Sequence, residues 1–185
     1  MSRKFLPQLA FTGALTAAAA VAGSVATRAG LDDYDTLDKP DFTPPSEVFP
    51  IAWTALYADI AATTAHALAK VRTERERRRI VGELVFNLGL NAGWSVAFFA
   101  GKRRWTATGV AVALTASSVS LARQVGKQEP AAGWALAPYP VWCAFATVLC
   151  ASVAARNDRA LRTAAPAPRH SPMCRRVLVR LRAAA

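Results

Sequence analysis

Lys39-Pro40-Asp41-Phe42-Thr43-Pro44-Pro45-Ser46-Glu47-Val48-Phe49-Pro50-Ile51-Ala52-Trp53-Thr54-Ala55-Leu56-Tyr57 is a stiff loop running straight into an apolar helix. Pro40, Pro44, Pro45 and Pro50 fix φ and remove amide donors, so the first half is neither regular helix nor central strand. Ser46 is placed to cap the helix, with Glu47 beside the positive end of its dipole and Pro50 in its first turn. Beyond them Trp53 and Tyr57 share one face at i, i+4. A rigid loop followed by an aromatic helical face is one way to build the mouth of an apolar pocket.

Outward from this stretch the chain is a series of apolar runs: about 5–27, 46–69, 80–100, 105–125 and 131–155. Each is long enough to cross about 30 Å of hydrocarbon at ~1.5 Å per residue. The runs are too nearly charge-free for the polar faces of a soluble bundle, and only helices satisfy their own backbone in lipid at this hydrophobicity. The expected fold is therefore all-α, an integral membrane bundle of five transmembrane helices occupying residues 1–157. A basic Pro/Ala-containing tail, 158–185, follows, either disordered or lying on an anionic membrane surface through Met173–Arg182. The first run also resembles a secretory signal peptide, but its length and the four runs after it favour a retained span.

The 185 residues are 53% hydrophobic and carry a formal charge of +11. Lys and Arg gather at the ends of apolar runs and in the tail rather than in a stripe interleaved with aromatics, which argues against nucleic acid. The basic loops 70–79 and 102–104 mark membrane edges, and the charge balance leaves the orientation open. Cys143, Cys150 and Cys174 form no CxxC or Cys/His cluster, so no metal site or disulfide framework is expected.

Two further stretches carry chemistry. In the third run Asn87, Asn91, Trp94 and Phe98 fall on one face, which should point into the bundle because carboxamides in lipid need partners. Gly89 and Gly93 form a small-xxx-small pair suited to close helix approach, to another span or to a second copy. In the fifth run Pro138 and Pro140 should kink or open the helix, and Trp142, Phe145 and Leu149 share a face. Trp53, Tyr57, Trp94, Tyr139, Trp142 and Phe145 thus come from three helices. They read either as an aromatic cavity for a large, flat, apolar ligand or as ordinary core packing. Asp59 and His66, seven apart in the second run, form a separate intramembrane polar pair.

These blocks together resemble the TspO/MBR family. The likeness rests on Tyr34, Leu37, Lys39 and Pro40; on Pro44, Pro45, Phe49, Trp53, Thr54, Leu56 and Tyr57; on Leu88, Leu90, Asn91, Trp94, Ser95, Phe98 and Phe99; and on Pro138, Tyr139, Trp142, Phe145, Ala146, Thr147 and Leu149. The resemblance implies five transmembrane helices around a pocket capped by the loop between the first two. It implies binding of porphyrin, haem or other tetrapyrroles and of sterol-like ligands, by a translocator or sensor. The ligand-binding residues it implies are Lys39, Pro44, Phe49, Trp53, Tyr57, Asn87, Asn91, Trp94, Tyr139, Trp142, Phe145, Ala146 and Leu149. It also implies a homodimer, for which Gly89 and Gly93 are the candidate interface; the high Ala and Arg usage points to a bacterial source and hence a plasma-membrane location. No resident cofactor is expected, the tetrapyrrole being ligand. Two alternatives accompany this reading. One is slow light- and oxygen-dependent porphyrin degradation, for which Trp53 and Trp142 are the catalytic candidates; the other is a regulatory membrane protein acting through a partner. The chain departs from the family at Asp33 and Glu47, where Trp is usual, at Asn87 for Gln and at Cys150 for Asn.

Overall fold

The computed structural model describes residues 4–164, with side chains through 158. The basic segment at 173–182 and Cys174 lie outside the described residues. Those described form helices and connecting turns, with no strand among them. Five helices are long: α1 (Phe5–Arg28), α3 (Val48–Lys70), α4 (Glu74–Ser95), α5 (Arg104–Gln128) and α7 (Pro138–Ala164). Two are short: α2 (Leu31–Asp35) in the loop after α1, and α6 (Pro130–Ala135) before α7. A π-helical turn, Val96–Ala100, continues α4.

Several boundaries differ from the sequence reading, each for a local reason. Ser46 does not cap α3. The Val48 amide donates to the Pro45 carbonyl at 3.0 Å, so the chain turns in ahead of the helix, and the Ser46 hydroxyl faces the Glu47 carboxylate at 3.2 Å. The charged stretch read as a loop is mostly the first two turns of α4. Thr73 and Glu76 close a capping box that starts the helix there, and Glu74 and Glu76 face the positive dipole end. The fifth run is divided: α6 ends at Ala135, two residues intervene, and Pro138 opens α7, where a missing amide hydrogen costs nothing.

Helices α3, α1, α4, α5 and α7 pack side by side in that order, and α6 packs on α5 and α3. Helix α3 meets α4 and α7 only sparsely. Small and hydroxylated residues fill much of the interior, among them Ala65, Ala67, Ala107, Thr12, Thr64 and Ser118, around Ile60, Leu84 and Leu121. Large apolar side chains face outward instead: Leu6, Val21, Ile51, Phe86, Val112, Val141 and Val148 are exposed. Water would disfavour such a surface, whereas hydrocarbon does not. Three stretches, Phe5–Arg28, Arg104–Gln128 and Pro130–Asp158, are long and apolar enough to cross a membrane.

Gly30, in the turn after α1, is required by packing. A Cβ there would lie 2.4 Å from the Phe99 carbonyl oxygen, so only glycine lets this turn rest on the π-helical segment.

Candidate functional site

Where α3, α4 and α7 pack thinly, aromatic rings fill the space. Phe49, Trp53 and Tyr57 recur every fourth residue along α3 and so project together. Trp53 is the hub, with ring centroids 5.8 Å from Tyr57, 6.4 Å from Trp94 and 6.5 Å from Trp142. The last contact is perpendicular, an interplanar angle of 89°. Phe49 meets Trp142 edge-on at 6.1 Å, and Trp142 leans on Phe145 at 5.5 Å. Trp94 stacks on Phe98 at 5.7 Å. These separations suit offset and edge-to-face attraction between rings. The π-helical turn holds Phe98 and Phe99 together, and Tyr34 from α2 caps both, at 6.1 and 5.7 Å.

Polar groups lie in two layers. In the deeper one Tyr139, fully buried, donates to Asn87 Oδ1 at 2.7 Å, and Asn87 Nδ2 donates to Ser117 at 3.2 Å. This ties α7, α4 and α5 together and leaves Asn87 and Tyr139 engaged with protein. In the layer beside the rings Tyr57 donates to Asn91 Oδ1 at 2.6 Å. That bond orients the carboxamide and leaves its NH₂ without a hydrogen bond, although the Tyr139 hydroxyl lies nearby. The indole N–H groups of Trp94 and Trp142 are also buried without a conventional acceptor; Trp94 has only the weakly accepting Cys150 thiol beside it. An unsatisfied buried donor costs about 1–3 kcal/mol. Trp142 is the member of the aromatic cluster whose buried donor has no partner at all.

The loop from Leu31 to Glu47 covers this cluster. Pro44 is half-buried within it, and Phe42 reaches Phe145 edge-on at 6.4 Å. Lys39 is held at the rim, its ammonium 4.5 Å above the Tyr34 ring and 3.3 Å from the Asp35 carbonyl. Burial, and secondarily the Asp35 carboxylate, pushes the Tyr34 phenol above its ordinary value. Leu149 packs with Phe98, Cys150 and Val153 below Tyr34 and Leu37, and Ala146 is half-buried on α7. Gly89 and Gly93 stand apart, with open space where a Cβ would go.

The sequence reading missed the fastening of the loop. Asp33 pairs with Arg104 at 2.9 Å and with Lys102 at 3.1 Å. Asp38 pairs with Arg156 at 3.4 Å, while Asn157 bonds both the amide and the carbonyl of Asp38, at 3.1 and 3.0 Å. The charges themselves were visible: acidic 31–38 and basic 102–104 fall on the same side in any five-span arrangement. Of the second-run polar pair, His66 lies against Phe5 with ring centroids 4.3 Å apart. Half-buried Asp59 has no side-chain partner among the described residues. No cluster of three or more metal-ligating side chains occurs among the described residues.

The comparisons fit this arrangement. The sequence pattern of the TspO/MBR family matches residues 11–156. The "Tryptophan-rich sensory protein" of Cereibacter sphaeroides is 30% identical over 116 residues, 63% of this chain and 71% of that protein. The "Tryptophan-rich protein TspO" of Chlorobaculum tepidum is 30% identical over 116 residues, 63% of this chain and 73% of its own. The "Uncharacterized membrane protein YtaB" of Bacillus subtilis is 29% identical over 124 residues, 67% of this chain and 79% of that one. The family match takes in every aromatic residue of the cluster and the loop that covers it, and on that ground the chain belongs to the TspO/MBR family of membrane proteins.

Proposed function

We propose that the protein is a bacterial plasma-membrane sensor or translocator that binds a tetrapyrrole, as porphyrin or haem, between α3, α4 and α7. The observation that carries this is the buried Trp142 indole N–H, which has no acceptor, beside the weakly satisfied Asn91 Nδ2 and Trp94 Nε1, among stacked aromatic rings. The rings supply flat apolar contact, and the donors suit ring nitrogens or carboxylates. The family and the printed name of the Cereibacter sphaeroides relative favour a sensory role. All five long helices span the membrane in this reading. Asp59 and His66 dilute the hydropathy of α3, and six charged residues open α4 before its apolar part begins. The tetrapyrrole is a ligand, not a resident cofactor, and sterol-like molecules compete for the same rings. The open face at Gly89 and Gly93 on α4 suits a homodimer.

A second reading, light- and oxygen-dependent breakdown of bound porphyrin, is favoured by the spacing of Trp53 and Trp142, 6.5 Å apart. Protoporphyrin titration of the detergent-purified protein, followed by tryptophan fluorescence in dark and light, tests both. Binding should saturate at micromolar ligand and weaken in Trp53→Phe and Trp142→Phe. Absence of saturable quenching overturns both readings. A porphyrin spectrum that changes only in light, and only with wild type, selects the second.

A further inference from the structure

Near the bundle end that carries the 71–73 turn, a groove runs along α5 and on between α5, α6 and the start of α7. It has two continuous parts that share Val119, Arg123 and Gly126. The part of about 530 Å³ is lined by Ser120, Arg123, Gln124 and Lys127; the part of about 320 Å³ by Val119, Ala122, Trp134, Ala137 and Pro140. The floor is shallow because Gly126 and Gly133 meet closely: a Cβ on Gly133 would fall 2.5 Å from Gly126 Cα. Chemistry changes along its length. Lys127 lies on the polar part, Arg123 stands where the two parts join, and the apolar part opens beside it toward Ala122, Trp134, Ala137 and Pro140. Trp134, 80% exposed, forms the outer lip.

Arg123 and Lys127 have no hydrogen-bond or ion-pair partner among the described residues. The neighbouring acids are spoken for. Glu129 pairs with Lys70, and Glu83 accepts from Ser120 at 3.0 Å. Arg79 adds a further cation, 2.9 Å from the Gln124 carboxamide. Two free cations at the head of a groove, an apolar track leading from them toward the hydrocarbon, and a tryptophan at interfacial depth match one molecule: an anionic phospholipid.

We propose that this groove is a binding site for an anionic phospholipid, its phosphate held by Arg123 and Lys127 and its acyl chain lying along Val119, Ala122, Trp134 and Pro140. The site is separate from the aromatic cluster and does not depend on the ligand assigned there.

Native mass spectrometry of the full chain in detergent, titrated with phosphatidylglycerol or phosphatidylcholine, tests it. Wild type should retain phosphatidylglycerol saturably and phosphatidylcholine weakly. Arg123→Gln and Lys127→Gln should each weaken the retention about fivefold, the size expected for one basic side chain against an anionic lipid surface. The double variant should lose it multiplicatively, and Trp134→Ala should weaken it further. Equal retention in the double variant, or equal binding of the two lipids by wild type, overturns the proposal. So does full displacement of lipid by inorganic phosphate, which makes this a free-anion site, or a change of oligomeric mass in the variants, which makes it a contact between copies. Each single replacement carries the test by itself should the double variant not stay monodisperse. Protoporphyrin titrated in parallel should bind all variants equally.

Discussion

Asp33→Asn removes one charge from the loop that covers the aromatic cluster and preserves its shape. In the wild type that carboxylate holds Arg104 at 2.9 Å and Lys102 at 3.1 Å. The two partners do not count equally. Arg104 is 20% exposed against 27% for Asp33, whereas Lys102 is 56% exposed. Exposed ion pairs contribute about 0.2–1 kcal/mol, and the more solvated Lys102 belongs near the bottom of that range. Together the pairs are worth about 1 kcal/mol of closure. At 1.4 kcal/mol per tenfold, the open loop should become about fivefold more populated in the variant. Amide hydrogen exchange on the detergent-purified protein reads this directly. Peptides covering 31–43 should exchange about fivefold faster in Asp33→Asn, and most of the difference should vanish in 0.5 M salt, which screens surface pairs. Peptides in α1 and α5 should not change. Exchange of 31–43 within twofold of wild type, or an increase spread evenly over the bundle, refutes the fastening of the loop by Asp33.

Other perturbations have equally definite outcomes. Gly30→Ala forces a Cβ to 2.4 Å from the Phe99 carbonyl, so the thermal midpoint should fall by the equivalent of about 1–3 kcal/mol, read by a melt in detergent. Tyr139→Phe leaves the buried Asn87 carboxamide oxygen without its donor and should cost about 1–3 kcal/mol in the same melt, although the ring is conserved. The hydrogen bond from Thr73, chiefly, holds the Glu76 carboxyl below its ordinary value of 4.5. Because that value is depressed on folding, the cap's contribution is complete above about pH 4.5 and is lost as pH falls through the lower folded-state value. Thr73→Ala should therefore raise the Glu76 titration midpoint toward 4.5, seen by carboxyl carbon NMR; an unchanged midpoint contradicts the capping box.

Much of the candidate site was legible because membrane helices simplify the code. A helix's 3.6-residue repeat is enough to place Trp53 with Tyr57, and Asn91 with Trp94, on common faces, and both pairs converge in space. The prolines at 138 and 140 were expected to kink or open one fifth helix; instead residues 136 and 137 separate two helices and Pro138 begins the second. What sequence spacing did not reveal depends on contacts between distant segments. Asn87 and Asn91 look alike along α4, yet Asn87 is consumed by Tyr139 and Ser117 while the NH₂ of Asn91 is only weakly engaged, beside the Tyr139 hydroxyl. Only the neighbouring helices make that difference. The π-helical turn is likewise set by the Gly101 amide reaching back to Val96 at 2.7 Å, a choice no local propensity dictates. Asp33 read as a missing aromatic at the pocket mouth; its partners, 69 and 71 residues onward, make it a fastening instead.

The central claim is that the buried Trp142 indole N–H meets an acceptor on a bound tetrapyrrole, and Trp142→Phe tests it through two readouts on one protein. Replacing the indole removes packing area but also removes an unsatisfied donor, so the thermal midpoint of the ligand-free variant should stay close to wild type. Affinity for protoporphyrin should nevertheless fall at least about tenfold, the loss expected for a hydrogen bond to a charged acceptor. Unchanged affinity, or a loss of stability as large as the loss of binding, would contradict the claim and return Trp142 to the role of a core residue.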